Sequence, residues 1–200
     1  MIAGSLRGAK PLAVLIFFIG LAGCGHVPVT SMVKLARIDF RTTDPARLRI
    51  AVKLPHALKA RAEGTALRVS VRLADGSEES RDFALREVNE AAELADETEQ
   101  GSEIATFAIA ERDIVDVRMF RAALIQKQKG GSGGAIKISV RPDACRLEPL
   151  AAGPVVFSTY LKAAETGTYV PLARDLDLRT LDPNQDLAAK VPACGPARSG

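Results

Sequence analysis

ALRVSVRLADGSEESRDFAL, residues 66–85, alternates apolar and polar side chains on both sides of a short polar stretch. Every second residue from Leu67 to Leu73 is apolar, which is the period of a β-strand with one buried face. Asp75 and Gly76 lie between the two arms, and an Asp-Gly pair is typical of a tight hairpin turn. The stretch therefore predicts an antiparallel β-hairpin.

The same two-residue period recurs along the rest of the chain, with turn-like residues between the segments. The further strand candidates are ARIDF (36–40), RLRIAVKL (47–54), IATFAIA (104–110), AIKISV (135–140), VVFSTYL (155–161) and LARDLDL (172–178). Strands with one apolar face each are typical of two antiparallel sheets packed face to face. We therefore predict a mostly β fold, an antiparallel β-sandwich of the immunoglobulin or transthyretin type.

One segment follows a helical period instead. Between residues 113 and 129 the side chains of Ile114, Val117 and Leu124 recur at spacings that share one face of an α-helix. Asp113 stands where an N-cap is expected, and Gly130 follows as a stop residue. We predict one α-helix inserted near 113–129, packed across a sheet or closing an open end of the sandwich.

Composition narrows the possible functions. The chain has 200 residues, of which 47% are hydrophobic and 4% aromatic, and its formal net charge is +3. This length suits one domain with a core built mainly from aliphatic side chains. A nearly neutral chain lacks the basic excess that general nucleic-acid binding needs, so we expect no nucleic-acid partner.

The first residues have the pattern of a targeting segment. Arg7 and Lys10 precede an apolar run of about ten residues, PLAVLIFFIG, which is too short to span a bilayer. The run ends in Leu21-Ala22-Gly23-Cys24. This ending resembles the lipobox of bacterial lipoproteins, in which a leucine and two small residues precede a cysteine.

The resemblance implies a processed and acylated N-terminus. It implies cleavage between Gly23 and Cys24, a diacylglycerol thioether on Cys24 and a further fatty acyl chain, such as palmitate, on the new amino group. Gly25 stands where an aspartate often retains such proteins in the inner membrane, so we expect the outer membrane, with the protein facing the periplasm. The domain prediction is then a signal-peptide helix (1–23), a lipidated cysteine with an extended tether (24–32), a sandwich domain (33–181) and a C-terminal tail (182–200).

The implied periplasmic location predicts the oxidation state of the other two cysteines. The periplasm is oxidising, and with Cys24 acylated only Cys145 and Cys194 remain to pair. A disulfide between them closes a loop of about 50 residues, worth about 4 kcal/mol in the chain-entropy model, and pins the tail. The alternative is two unpaired thiols. Two lone cysteines supply too few ligands for a metal site, so we expect no metal.

Cations cluster on the predicted outer faces of three strands. If these strands are neighbours, the side chains form a basic face that suits lipid phosphates, lipopolysaccharide or an acidic protein. The alternative is an ordinary solubilising surface. The predicted basic face consists of Arg47, Arg49, Lys53, Arg68, Arg72, Lys137 and Arg141.

Two other segments invite functional interpretations. The acidic segment, residues 87–103, has seven carboxylates and no cation, so it could bind a cation or a basic partner. The plainer interpretation is a solvated loop or a frayed helix. The sequence KGGSGGA (129–135) resembles a phosphate loop only loosely, because it lacks the Gly-Lys-Ser/Thr ending, and we interpret it as a helix stop with a link.

Catalytic constellations are absent from the sequence. His56 is the one histidine beyond the predicted tether, and no G-x-S-x-G setting occurs. We therefore predict a non-catalytic envelope lipoprotein without a cofactor, acting as a structural or binding module with an envelope protein partner. The alternatives are a subunit of a multi-protein machine, such as the type VI secretion apparatus whose small lipoproteins have a similar overall plan, or a carrier of a small lipid or metabolite.

Overall fold

The structure, a computed structural model, describes residues 29–130, 134–181 and 186–195. Within these residues the fold is mostly β, as predicted. The strands are β1 (Arg49–Pro55), β2 (Leu58–Ala60), β3 (Ala66–Arg72), β4 (Glu78–Val88), β5 (Ser102–Ile109), β6 (Ile136–Arg141), β7 (Ala144–Arg146), β8 (Val156–Lys162) and β9 (Val170–Asp177). The helices are α1 (Val29–Leu35), α2 (Glu111–Lys129), α3 (Leu178–Leu181) and α4 (Leu187–Lys190), with short 3-10 helices at Pro45–Arg47 and Ala91–Glu97.

The predicted hairpin is present. Strands β3 and β4 pair antiparallel, and the turn between them contains Gly76 with a φ of 85°, a conformation that glycine adopts without a steric penalty. The Asp75 carboxylate accepts a hydrogen bond from the Ser77 amide at 2.9 Å, which satisfies that donor inside the turn. The Asp-Gly pair therefore terminates one strand and starts the next.

Seven strands form one antiparallel sheet in the order β6-β3-β4-β5-β1-β8-β9, and β2 pairs with β7 in a small second sheet. The long strand β4 joins the two halves of the large sheet. Its residues 78–84 pair with β3, and its residues 85–88 pair with β5. Because β4 is shared, these seven strands form one sheet that is nearly closed like a barrel, where the sequence predicted two antiparallel sheets packed face to face.

The core lies inside this curved sheet. Side chains from both halves meet there, including Ile50 and Val52 of β1, Val69 of β3, Phe107 of β5 and Leu161 of β8, all of them buried. The buried cluster is largely aliphatic, as the composition predicted. Strand β1 is the most enclosed, since its interior residues are buried on both faces.

The long helix α2 closes one side of the core. Val117 and Leu124 are buried, and Phe120 packs edge-on against Phe83 with ring centroids 5.9 Å apart. These contacts confirm the predicted helix and its apolar face. The helix begins at Glu111, however, so the prediction that Asp113 caps its start is wrong: Asp113 lies inside the first turn.

Two local predictions are corrected by the structure. Residues 36–40, predicted as a strand, form turns because the Asp39 carboxylate accepts hydrogen bonds from the Arg41 amide and side chain. Residues 29–32, predicted as the end of an extended tether, belong to α1, which packs against β9 and buries Ser31. The predicted signal-peptide helix lies outside the described residues.

The described part of the tail is attached to β7. The sulfur atoms of Cys145 and Cys194 lie 1.99 Å apart, at disulfide distance, as expected from the sequence. The backbone of Arg146 donates to Pro192 and accepts from Cys194, both at 2.8 Å. Leu187 of α4 adds a buried apolar contact, so the tail is held by packing as well as by the sulfur pair.

Candidate functional site

The predicted basic face is divided by the sheet order. Strands β3 and β6 are neighbours, but β4 and β5 separate β3 from β1. Arg49 and Lys53 of β1 therefore lie apart from the cations of β3 and β6, and Arg47 lies outside the strands, in a 3-10 helix. The structure brings together four of the seven residues, which we name the β3–β6 basic cluster: Arg68, Arg72, Lys137 and Arg141.

Part of the β3–β6 basic cluster is neutralised within the sheet. Arg68 binds both carboxylate oxygens of Asp82, at 2.6 and 2.8 Å, and Arg141 approaches the same carboxylate at 3.2 Å. The hydrogen bond from Arg68 holds the pKa of Asp82 below its ordinary value. Arg72 and Lys137 are exposed and make no ion pair among the described residues, so they are the cluster's available charges.

The acidic segment packs across the outer side of β1 and β8. Its 3-10 helix, Ala91–Glu97, inserts Leu94 against Ala51 and Tyr160, and all three side chains are buried. At its start the Thr106 hydroxyl accepts from the Glu90 amide and donates to the Val88 carbonyl. The segment is therefore a docked element, which differs from the solvated loop or frayed helix considered above.

Four carboxylates of the acidic segment meet four cations of the sheet. The pairs are Glu90 with Arg49 at 2.8 Å, Glu93 with Lys162 at 2.7 Å, Glu97 with Arg174 at 2.6 Å and Glu99 with Lys53 at 3.0 Å. These cations lie on β1, β8 and β9, which are adjacent strands. The segment thus finds its basic partner within the chain, and two residues of the predicted basic face are used there.

Glu97 lies at the centre of this contact. Burial raises the pKa of Glu97. Hydrogen bonds from the Arg174 side chain at 2.6 Å and from the Tyr160 hydroxyl at 3.0 Å lower the pKa by more than burial raises it. The pKa of Glu97 therefore lies below its ordinary value. Burial, with the adjacent Glu97 charge, raises the pKa of Tyr160 to about 12. At neutral pH the carboxylate is therefore ionised and the phenol is protonated, which is the pairing that the hydrogen bond needs.

Two clefts border the acidic segment. One, of about 330 Å³, lies between Arg47, Glu90 and Lys162, and the other, of about 520 Å³, lies between Lys34 of α1, Glu97 and Tyr169. The Tyr169 ring lies 5.6 Å from the Lys162 ammonium. Its buried hydroxyl has no hydrogen-bond partner in the described part of the chain, and burial raises its pKa. The charged side chains that line both clefts suit non-covalent binding of a small polar group.

The residues with catalytic or metal-binding chemistry are dispersed. His56 is exposed in the turn between β1 and β2, where its amide donates to Gly101 at 2.9 Å. Within residues 29–130, 134–181 and 186–195 no three His, Cys, Asp or Glu side chains are grouped as metal ligands. The same ranges contain no helix that is long and apolar enough to cross a membrane.

The predicted cleavage and lipidation residues, Gly23 and Cys24, lie outside the described residues. The docking of the acidic segment was not predicted, although its sequence carries a signal. Glu90, Glu93 and Glu97 are spaced by three and four residues, which places them along one face of a helical turn, with Leu94 beside them. A buried leucine between carboxylates indicates a segment that packs on a basic surface. Comparison of the chain with protein-family models, with curated proteins and with solved structures gives no match.

Proposed function

We propose that this chain is an envelope lipoprotein, a non-catalytic structural or binding module that acyl chains on Cys24 anchor to the outer membrane on its periplasmic side. The sequence Leu21-Ala22-Gly23-Cys24 after a short apolar run carries this proposal. The pair Cys145 and Cys194 at disulfide distance supports it, because disulfides persist in oxidising compartments.

The anchor and the body have separate roles in this proposal. One acyl chain gives marginal membrane binding, whereas several chains hold a protein firmly, at about 0.8 kcal/mol per buried methylene. The β domain then supplies the binding surface. We further propose that the two halves of the sheet, joined at β4, correspond to the two layers of a sandwich of the immunoglobulin or transthyretin type, since one core fills the space between them.

The β3–β6 basic cluster is the surface that we propose for the envelope partner. Arg72 and Lys137 project from neighbouring strands and are exposed, whereas the cations of β1 are already paired with the acidic segment. An acidic protein surface complements these two charges. The charges of the cluster would accelerate and orient the encounter more than they would raise the affinity.

The anchor is tested by expressing the full chain in a bacterium and analysing the membrane fraction by mass spectrometry. We expect a mature chain that begins at an acylated Cys24. The variant Cys24→Ala should accumulate as an uncleaved, unacylated precursor. Normal cleavage of that variant, or a native chain recovered without acyl groups, would refute the lipoprotein proposal.

The binding surface is tested by crosslinking the membrane-bound chain and identifying what copurifies. Replacing Arg72→Glu and Lys137→Glu together should abolish capture of the partner, because the two exposed charges of the cluster are reversed. Lys59→Glu, an exposed cation on β2 without an ion pair among the described residues, is the matched control and should leave capture unchanged. Equal capture of the partner by both variants would show that the β3–β6 basic cluster is not the binding surface. Capture of several envelope proteins in fixed proportion would indicate a subunit of a multi-protein machine.

A further inference from the structure

Helix α1 buries a serine and exposes two large apolar side chains. Ser31 faces the domain and is 4% exposed, whereas Met32 and Val33 are 54% and 63% exposed. Ala36, one turn after Met32, is also exposed, and its amide donates to the Met32 carbonyl at 2.9 Å. A buried serine beneath exposed methionine and valine indicates that the outer side of α1 meets an apolar environment.

Two cations flank this apolar side. Lys34 and Arg37 are exposed, and neither makes an ion pair among the described residues. Lys34 lies at the edge of the helix next to the domain, where it also lines the cleft that contains Glu97. Asp39, the nearest carboxylate along the chain, is paired with Arg41 at 2.8 Å and does not neutralise them. Apolar side chains next to unpaired cations are the pattern of segments that lie in the headgroup region of anionic membranes.

The short distance to the proposed anchor keeps α1 near the bilayer. Five residue steps separate Cys24 from Val29, where α1 begins, and a fully extended chain of that length spans about 17 Å. An amphipathic segment penetrates the interface by about 5–10 Å. An acylated Cys24 therefore keeps α1 within reach of the headgroups.

We infer that the outer side of α1 and of the turn after it, formed by Met32, Val33 and Ala36 and flanked by Lys34 and Arg37, is a membrane-contacting surface that binds anionic phospholipid. This inference rests on the proposed lipid anchor. The inference adds a fixed orientation to the anchored chain. The domain lies against the bilayer through α1, and β9 packs on the other side of the helix. The acyl chains give affinity, and α1 gives the angle at which the domain is held.

Tryptophan fluorescence tests the inference directly, because the native chain has no tryptophan. The acylated full-length products of Met32→Trp and, separately, Val33→Trp are reconstituted into vesicles of equal parts phosphatidylcholine and phosphatidylglycerol with brominated acyl chains. Met119→Trp is the matched control, since Met119 on α2 is 57% exposed. We expect bromine to quench both α1 variants several-fold more strongly than the control. Lys34→Glu with Arg37→Glu, added to Met32→Trp, should reduce that quenching.

The outcomes separate this inference from the anchor itself. Mass spectrometry of the same samples reports whether Cys24 carries acyl chains. An acylated chain whose α1 variants are quenched no more than the α2 control overturns the inference and leaves the anchor intact. Shielding of both α1 tryptophans by a second copy of the chain, seen as emission that depends on protein concentration, also overturns it. A chain without acyl groups overturns the anchor and the inference together.

Discussion

The carboxylate of Asp113 accepts a hydrogen bond from the backbone amide of Ala84 at 2.6 Å. Ala84 is the last residue of β4 that pairs with β3, and Leu85 is the first that pairs with β5. The amide at this change of partner needs an acceptor from outside the sheet, and the first turn of α2 provides it. The Asp113 side chain thus links α2 to the point where β4 changes its partner strand from β3 to β5.

Removing this acceptor should destabilise the fold. We expect Asp113→Ala to lower the free energy of unfolding by about 1–3 kcal/mol, because the Ala84 amide is left without its partner. Asp113→Asn retains a carbonyl oxygen and should recover part of the loss. Denaturant unfolding measures both, with Asp116→Ala, an exposed carboxylate of the same helix, as the control. Equal effects of the two alanine variants would contradict the assigned role.

The docking of the acidic segment should depend on Leu94. Leu94→Ala leaves a cavity against Ala51 and Tyr160 and should cost about 2–4 kcal/mol if the segment stays docked. If the segment detaches instead, hydrogen exchange will accelerate within residues 91–99 while the core strands stay protected. Leu147→Ala is the control, because Leu147 is 56% exposed. Unchanged exchange and stability in the Leu94 variant would show that the segment is held by its charges alone.

The ion pair of Glu97 with Arg174 and its hydrogen bond from Tyr160 predict a defined pH dependence. The pKa of Glu97 is lower in the folded chain than its ordinary value, so the unfolded chain binds more protons as the pH falls. Its contribution to stability is therefore complete above the ordinary pKa and is lost from about pH 5 downward. Glu97→Gln should be less stable than the parent at neutral pH, and this difference should shrink in acid. Asp96→Asn, an exposed neighbour, should reproduce neither effect in thermal unfolding.

The sulfur pair should contribute measurably to stability. Cys145 and Cys194 are separated by 49 positions, and a cross-link of that span is worth about 4 kcal/mol in the chain-entropy model. We expect Cys145→Ser with Cys194→Ser to unfold at lower denaturant concentration and to release residues 186–195 to rapid hydrogen exchange. The reduced parent should match the double variant. Alkylation of both thiols in the untreated native chain would show that the pair is not oxidised.

Gly134 is a glycine whose replacement should be costly. A Cβ there would collide with the Arg72 carbonyl. The amide of the same residue donates a hydrogen bond to the Ala135 carbonyl at 3.1 Å, which holds the two backbones close together. We expect Gly134→Ala to lower the free energy of unfolding by about 1–3 kcal/mol through overpacking. Gly130→Ala makes ordinary contacts and should be nearly neutral. Similar stabilities of the two variants would mean that the backbone yields at this point without penalty.

Local patterns predicted the elements more successfully than their arrangement. The alternation from Leu67 to Leu73 and the Asp-Gly turn depend on near neighbours, and both were predicted correctly. The change of partners at Ala84 could not be predicted, because it depends on a helix almost thirty residues away. Periodicity shows that a strand has a buried face, but it does not show which strand lies beside it.

The candidate site was harder to predict for the same reason. Lys53 has the alternation of a solvent-facing residue, yet it is buried because the acidic segment covers it. The sequence shows both charges, but their separation by 46 positions conceals the pairing. In contrast, the pairing of Cys145 with Cys194 was predicted correctly, because the chain has three cysteines and one of them was assigned to the lipid anchor.

The position of β1 in the sheet sets an order of assembly. Arg49 of β1 stands opposite Ala108 of β5 on one side and opposite Lys162 of β8 on the other. Strand β1 therefore completes its pairing only when both of these later strands are available. Such distant pairing slows folding, because long loops must close before the contacts form. Since β8 follows β5 along the chain, β1 acquires its second neighbour last, and we expect this pairing to limit the rate of folding.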